Sequence, residues 1–196
     1  MSTSRPAPII RGERVWLRAS ERTDLPMFVD WLNDSETSTF LSTRAPFSLA
    51  AEEKWFERML EHQGHDAYHF VICRLEDDQP IGVIGLFDVD TTDGNAGLGI
   101  TIGEKSQWSQ GFGSDALNAL VDFGFGNLRM ERIWLDVYDF NKRAQRSYEK
   151  CGFVLEGIRR HAAFRRGAYI DIHLMSILHD EWAALKRPRS WEFPSE

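Results

Sequence analysis

Two short stretches carry residues whose types and spacing could do chemistry. The first is Gln110-Gly111-Phe112-Gly113-Ser114-Asp115-Ala116. It follows a strand-like run ending in Ile100, Thr101 and Ile102. It opens a helix whose apolar face is set by Leu117, Leu120, Val121, Gly124 and Leu128, at i, i+3, i+4, i+7 and i+11. A helix N-terminus presents unpaired backbone N–H groups and partial positive charge. Gly111 and Gly113 lack side chains that would hold a ligand away from those groups, so the turn suits a phosphate or pyrophosphate. The same glycines would also serve a strand-to-helix turn that holds nothing. The second stretch, Asn141 to Phe153, reads as a short helix stopped by Gly152 in the C′ position. Ala144, Tyr148 and Cys151 share a face, and Asn141 leads that face by one turn. Taken singly, Asn141 reads as an N-cap and Tyr148 as a core aromatic.

The elements that must position these stretches follow from the pattern. Residues 1–10, with Ser2, Ser4, Pro6 and Pro8, read as a loose lead-in. Arg14 to Ala19 alternates as a strand. Ser20 or Thr23 caps a helix carrying Phe28, Trp31 and Leu32, and Ser48 caps a second helix carrying Trp55, Phe56, Met59 and Leu60. The two helices hold many carboxylates, which suit a solvated face or the wall of a pocket for a cationic molecule. Tyr68 to Leu75, Ile81 to Val89 and the strand ending at Ile102 form an antiparallel meander. Arg132 to Tyr138 is reached through a helix, a crossover that predicts a parallel pair. Leu155 to Ala163 and Tyr169 to Ile177 pair around Arg165-Arg166-Gly167, with Arg159 and Arg160 nearby. Asp180 to Leu185 is a closing helix. The expectation is one domain over residues 11–186 and a loose tail over 187–196, whose Trp191 and Phe193 are suited to docking.

Composition narrows the classes. The chain has 196 residues, 42% apolar and 27% charged, an ordinary globular balance. Its net charge of −7 lacks the basic footprint of a nucleic-acid binder. Cys73 and Cys151 are too few for a disulfide framework and read as buried small hydrophobes. His161 and His173 have no metal-ligand spacing, so no metal is expected. No apolar run reaches membrane-span length and no secretory signal is visible, so the expected location is the cytoplasm. Gly111 to Ala116 also fits a dinucleotide-binding G-x-G-x-x-A, with Asp136 about 20 residues later. Against that reading, Glu104 to Gln110 separate the glycines from their strand, and further strand–helix units do not follow.

Together the two stretches make the chain resemble the GNAT superfamily of acetyl-CoA-dependent N-acetyltransferases. The match runs through Gln110-Gly111-Phe112-Gly113-Ser114-Asp115-Ala116 and then Asn141-x-x-Ala144-x-x-x-Tyr148-x-Lys150-x-Gly152-Phe153. Glu156-Gly157, Arg160, Phe164, Gly167, Tyr169, Asp171, Met175 and Leu178 resemble the closing hairpin of the branch with ribosomal-protein N-terminal acetyltransferases and spermidine acetyltransferases. The resemblance implies an α/β (α+β) fold: a mixed, mostly antiparallel central sheet flanked by helices, with a splayed parallel pair holding acetyl-CoA. It implies that Thr101, Ile102 and Gly103 meet the pantetheine arm. Backbone N–H groups of Gln110, Gly111, Phe112, Gly113 and Ser114 would hold the pyrophosphate. Asn141 would bond the pantetheine and Arg146 would reach the adenosine phosphates. It implies direct attack by a primary amine, with Tyr148 as general acid. Relatives often carry a Glu early on the central strand. Here that place is Gly97, and Glu104 at the far end of the strand is the nearest candidate base. Trp108 replaces the polar first residue of the family's loop. The partners implied are acetyl-CoA and an amine, either a protein N-terminus, a polyamine or a small amino compound, acting on a monomer or homodimer. A non-catalytic acetyl-CoA-binding or sensor module is the alternative.

Overall fold

The structure, a computed structural model, describes residues 8–193. Its elements are β1 (Ile10–Arg11), β2 (Val15–Ala19), α1 (Leu25–Asn33), α2 (Ser35–Ser38), α3 (Leu49–His62), β3 (Tyr68–Arg74), β4 (Pro80–Asp90) and β5 (Asn95–Ile102). These are followed by α4 (Phe112–Gly126), β6 (Arg132–Tyr138), α5 (Lys142–Lys150), β7 (Val154–Arg165), β8 (Ala168–Leu178) and α6 (His179–Ala184). The strands form one eight-stranded sheet in the order β1-β2-β3-β4-β5-β6-β8-β7. All neighbours are antiparallel except β5 and β6. The mixed, mostly antiparallel sheet with one parallel pair is the architecture that the resemblance implied.

That parallel pair positions everything functional. β5 and β6 pair at Asn95↔Arg132, Ala96↔Ile133 and Gly97↔Trp134, and their pairing ends there. Each strand keeps its other neighbour to the end: β5 stays with β4 out to Gly82↔Ile102, and β6 stays with β8 out to Tyr138↔Ile172. Each half of the sheet twists with its own partner, so the two strands part and leave a wedge-shaped gap.

Helices cover both faces. On one, Leu117, Leu120 and Val121 of α4 pack on Ile84, Leu86, Leu98, Ile133 and Leu135. On the other, Leu25, Phe28, Phe56 and Met59 of α1 and α3 pack on Val71 and Cys73. Each large apolar side chain buried in this way stabilises the fold by roughly 1.5–3 kcal/mol. Cys73 and Cys151 are free and buried, as expected.

Three expectations are corrected. Helix α1 begins at Leu25 after a 3-10 turn at Arg22–Asp24, with the Glu21 backbone N–H donating to Asp24 Oδ2 at 2.8 Å. Ser20 caps nothing and bonds His69 Nδ1 at 3.0 Å, while Ser48 does cap α3 through the Ala51 N–H. The lead-in lies outside the described residues over 1–7, and Ile10 is buried and paired with Leu17. Residues 187–193 are not loose. Arg187 and the Ser190 N–H both bond Asp122, which is buried, and Trp182 Nε1 donates to the same carboxylate at 2.8 Å. Trp191 packs edge-on to Trp182 and lies over Gly126. A buried carboxylate needs such partners, and they draw the tail onto α4.

Candidate active site

The gap between β5 and β6 opens into a cleft of about 1100 Å³. Its walls come from both strands, α3, α5 and the turn before α4. Thr101, Ile102, Gly111, Gly113, Ser114, Asn141, Arg146 and Tyr148 all line it, so eight residues from separate parts of the chain meet in one place.

The turn before α4 has the geometry of an anion cradle. Gly111 is the N-cap with φ +90°, a left-handed conformation in which a side chain is strained. No side chain caps this helix start, so the first backbone N–H groups of α4 remain available. The turn is fixed from behind. Asp115 accepts hydrogen bonds from the N–H groups of Glu13, Arg14 and Val15 at 2.8–2.9 Å. Arg14 donates to the Gln110 carbonyl at 2.6 Å and covers the Phe112 ring at 4.0 Å. Ser114 Oγ meets Ser147 Oγ at 2.8 Å, which ties α4 to α5. Gln110 and Phe112 therefore hold the turn's shape: neither lines the cleft, and the Phe112 side chain is buried.

Tyr148 projects from α5 with its ring buried against Phe153, 6.0 Å between centroids. Its hydroxyl has no hydrogen-bond partner among the described residues. Burial, with a smaller contribution from Cys151, pushes the phenol up to about 12. Asn141 caps α5, its Oδ1 accepting from the Ala144 N–H at 3.2 Å.

Glu104, Gly103 and the Ile102 carbonyl, all expected in the site, are engaged elsewhere. Glu104 does not line the cleft; its carboxylate accepts from the Ser106 N–H at 3.2 Å and the Ser106 hydroxyl at 2.8 Å, capping the turn at Lys105–Gln107. Gly103 lies under the Trp31 ring and is outside the cleft. Trp108 Nε1 donates to the Ile102 carbonyl at 2.7 Å, so that carbonyl is already engaged. The same indole stacks under Arg143 at 4.0 Å and meets Phe40 edge-on. Gly97 is covered by Phe87, whose ring would come within 2.3 Å of an added Cβ, so this strand position admits no carboxylate without rearrangement.

Arg159, Arg160 and Arg166 of the β7–β8 hairpin are exposed, and three of its four arginines bond within the protein. Arg159 pairs with Asp136, and Arg166 donates to Thr39 Oγ1 at 2.7 Å. Arg165 donates to the Leu41 carbonyl at 3.0 Å and also to the Tyr138 hydroxyl. Arg165 and Arg166 fasten the hairpin to the loop after α2, whose Phe40, Leu41 and Ser42 line the cleft. Sequence spacing offered no signal for this long-range clamp. The carboxylates of the early helical segment, from Glu21 to Glu61, do not line the cleft for a cationic molecule either. Asp34 and Glu36 both hold Lys105 at 2.7 Å, and Asp24 holds Arg18 at 2.7 Å. Lys105 beside Asp34 keeps that carboxyl down at about 2.

A wedge in a mixed sheet, an uncapped glycine turn and a buried tyrosine thus meet in one cleft. The Acetyltransferase (GNAT) domain family matches residues 14–154, and the chain belongs to that family. It is an N-acetyltransferase. It is similar to spermidine N(1)-acetyltransferase of Vibrio cholerae, 31% identical over 175 residues, covering 87% of this chain and 96% of the relative. A crystal structure of the Vibrio cholerae spermidine N-acetyltransferase in complex with CoA and spermine superposes with a TM-score of 0.80 at 26% identity, over 86% of this chain and 98% of that one. A dodecameric structure of the same enzyme matches at a TM-score of 0.75 and 25% identity, over 88% and 98%. Among the described residues, no helix is long and apolar enough to cross a membrane and no cluster of potential metal ligands occurs.

Proposed function

We propose that this chain transfers the acetyl group of acetyl-CoA to a primary amine by direct attack within a ternary complex, with Tyr148 serving the leaving sulfur. The observation that carries the reading is the buried Tyr148, which lines the wedge together with the glycine turn and whose hydroxyl has no hydrogen-bond partner among the described residues. The pyrophosphate would rest on the backbone N–H groups at Gly111 to Ser114, where the helix start carries positive charge. Arg146 and Lys150, which also line the cleft from α5, would meet the remaining phosphates. The pantetheine arm would run along Thr101 in the gap, and the engaged Ile102 carbonyl leaves Asn141 as the side-chain partner from the opposite wall.

The chemistry balances as follows. The acceptor ammonium loses one proton to solvent water, and the free amine attacks the thioester carbonyl carbon. The C–N bond forms, the C–S bond breaks, and the second amine proton passes to solvent, which in turn supplies the proton of the CoA thiol. The sulfur departs as thiolate, receives a hydrogen bond from the Tyr148 hydroxyl and ends as the thiol. Glu104 is held in its turn and takes no part. The assay is release of free CoA from acetyl-CoA with an amine present, for the parent and for Tyr148→Phe. The same assay separates transfer from a module that binds acetyl-CoA without reacting. A parent that releases CoA only with an amine supports the reading, and a Tyr148→Phe protein at the parent's rate removes Tyr148 from it.

A further inference from the structure

We propose that the acceptor is a monoamine on an apolar or aromatic body, and that Asp136 seats its ammonium group. The inference rests on the acetyl-transfer reading above and names the acceptor class for that site.

The register supplies the geometry. Ile133, Leu135 and Val137 of β6 face the α4 core, so Trp134, Asp136 and Tyr138 face the opposite side of the sheet. That is the side on which His69, Gly85 and Gly99 form one row across β3, β4 and β5. Gly97 and Trp134 are the last paired residues of the parallel ladder. Two residues further on, where the strands have begun to part, Gly99 and Asp136 both line the cleft from opposite strands. Gly99 puts no side chain in front of Asp136, and the nearest atom to an added Cβ there is Phe87 Cε1 at 3.8 Å. Arg159 engages Oδ2 of Asp136 and leaves Oδ1 without a hydrogen-bond partner among the described residues.

Charge then selects the body. Asp136 is the one carboxylate among the described residues that line the cleft. The remaining wall on this side offers Trp55, Met59 and Phe87 as apolar surface and Arg58 as a further cation. Among the described residues, Arg58 has no ion-pair partner. A polyamine would bring two or more ammonium groups to a wall with one carboxylate and a competing arginine. Each extra group would lose water without gaining a partner. A single ammonium on an aromatic body satisfies both the carboxylate and the rings. This chain therefore differs in acceptor from the spermidine acetyltransferase it is similar to.

The test compares phenethylamine with spermidine, by CoA release and by calorimetric binding to the protein saturated with CoA. The expected result is a kcat/KM for phenethylamine at least about tenfold above that for spermidine, with the same order in binding. Asp136→Asn should lower kcat/KM for phenethylamine by about 10- to 100-fold, while acetyl-CoA still raises the melting temperature as in the parent. Its loss should shrink as pH rises toward the amine's own pKa, because fewer acceptors then arrive charged; a merely structural role would give a pH-independent loss. Spermidine equal to or better than phenethylamine overturns the acceptor class, and so does failure of phenethylamine to bind the CoA complex. An Asp136→Asn protein with the parent's kcat/KM overturns the ammonium seat. A Tyr148→Phe protein at full rate would instead overturn the role given to Tyr148 and leave this inference standing.

Discussion

Replacing Tyr148 by Phe removes one oxygen and leaves the ring packing against Phe153 intact, so the effect reads chemistry. The buried phenol is pushed up to about 12, mainly because burial disfavours the phenolate. A departing thiolate of ordinary basicity has a conjugate acid near 8.5. Complete proton transfer from this tyrosine to that sulfur would run uphill by about 5 kcal/mol, at 1.36 kcal/mol per pKa unit. On the proposed mechanism the hydroxyl would therefore serve as a hydrogen-bond donor to the developing sulfur charge, and the thiol's proton would come finally from solvent. That role places the loss at the low end of acid catalysis, about 10²-fold in kcat. The KM for acetyl-CoA should stay within about threefold, since the contact strengthens only as the C–S bond breaks. The sign of the pH dependence follows. The hydroxyl must be protonated to donate, so Tyr148 imposes no fall in rate below its raised pKa, and the parent's rate should keep rising toward about pH 10 as more of the acceptor amine is unprotonated. The assay is colorimetric detection of free CoA thiol across pH 6–10, with a tyrosinate absorbance titration beside it. A kcat within threefold of the parent, or a tyrosinate signal near pH 10 lost in Tyr148→Phe, would refute the reasoning.

Other consequences are directly measurable. Asp122→Ala leaves Arg187 and Trp182 Nε1 without their buried partner and should cost about 3–5 kcal/mol. At roughly 2–4 °C per kcal/mol for a chain of this size, the melting temperature should fall by roughly 6–20 °C, and a loss under about 1 kcal/mol would mean that residues 187–193 do not hold the α4 surface. Asp115→Ala removes three backbone hydrogen bonds that anchor the glycine turn. It should lower stability by about 2–4 kcal/mol and weaken acetyl-CoA binding in a thermal-shift titration, whereas unchanged binding would free the cradle from that anchor. His69 is held down at about 4 by burial, below its unfolded value of about 6.5. A depressed histidine contributes stability that is fully present above pH 6.5 and is lost as pH falls toward 4. Urea unfolding at a series of pH values should show that loss in the parent and a smaller one in His69→Gln.

Much of this molecule was legible in its sequence because the decisive signals are local. Period-two runs gave the meander and the closing hairpin. The 3.6-residue stripe from Leu117 gave α4, Ser48 gave the cap of α3, and the crossover length gave the parallel pair. Gly111, Gly113, Asn141 and Tyr148 were identifiable because backbone conformation, helix capping and helix face depend on residue type and near neighbours. Tertiary structure decided everything that depends on which distant groups meet. Of the carboxylates expected to line a pocket for a cationic molecule, Asp24, Asp34, Glu36 and Glu57 found arginine or lysine partners instead, because an ion pair depends on proximity that sequence does not record. Glu104 became a cap because Ser106 lies within its reach. The tail docked because Asp122, buried on α4, needed donors that only residues 182–190 supply. Asp136, which sequence offered only as part of a dinucleotide pattern, faces the cleft because β5 and β6 part after Gly97. The splay is set by the twist of two half-sheets, each bound to its own neighbour.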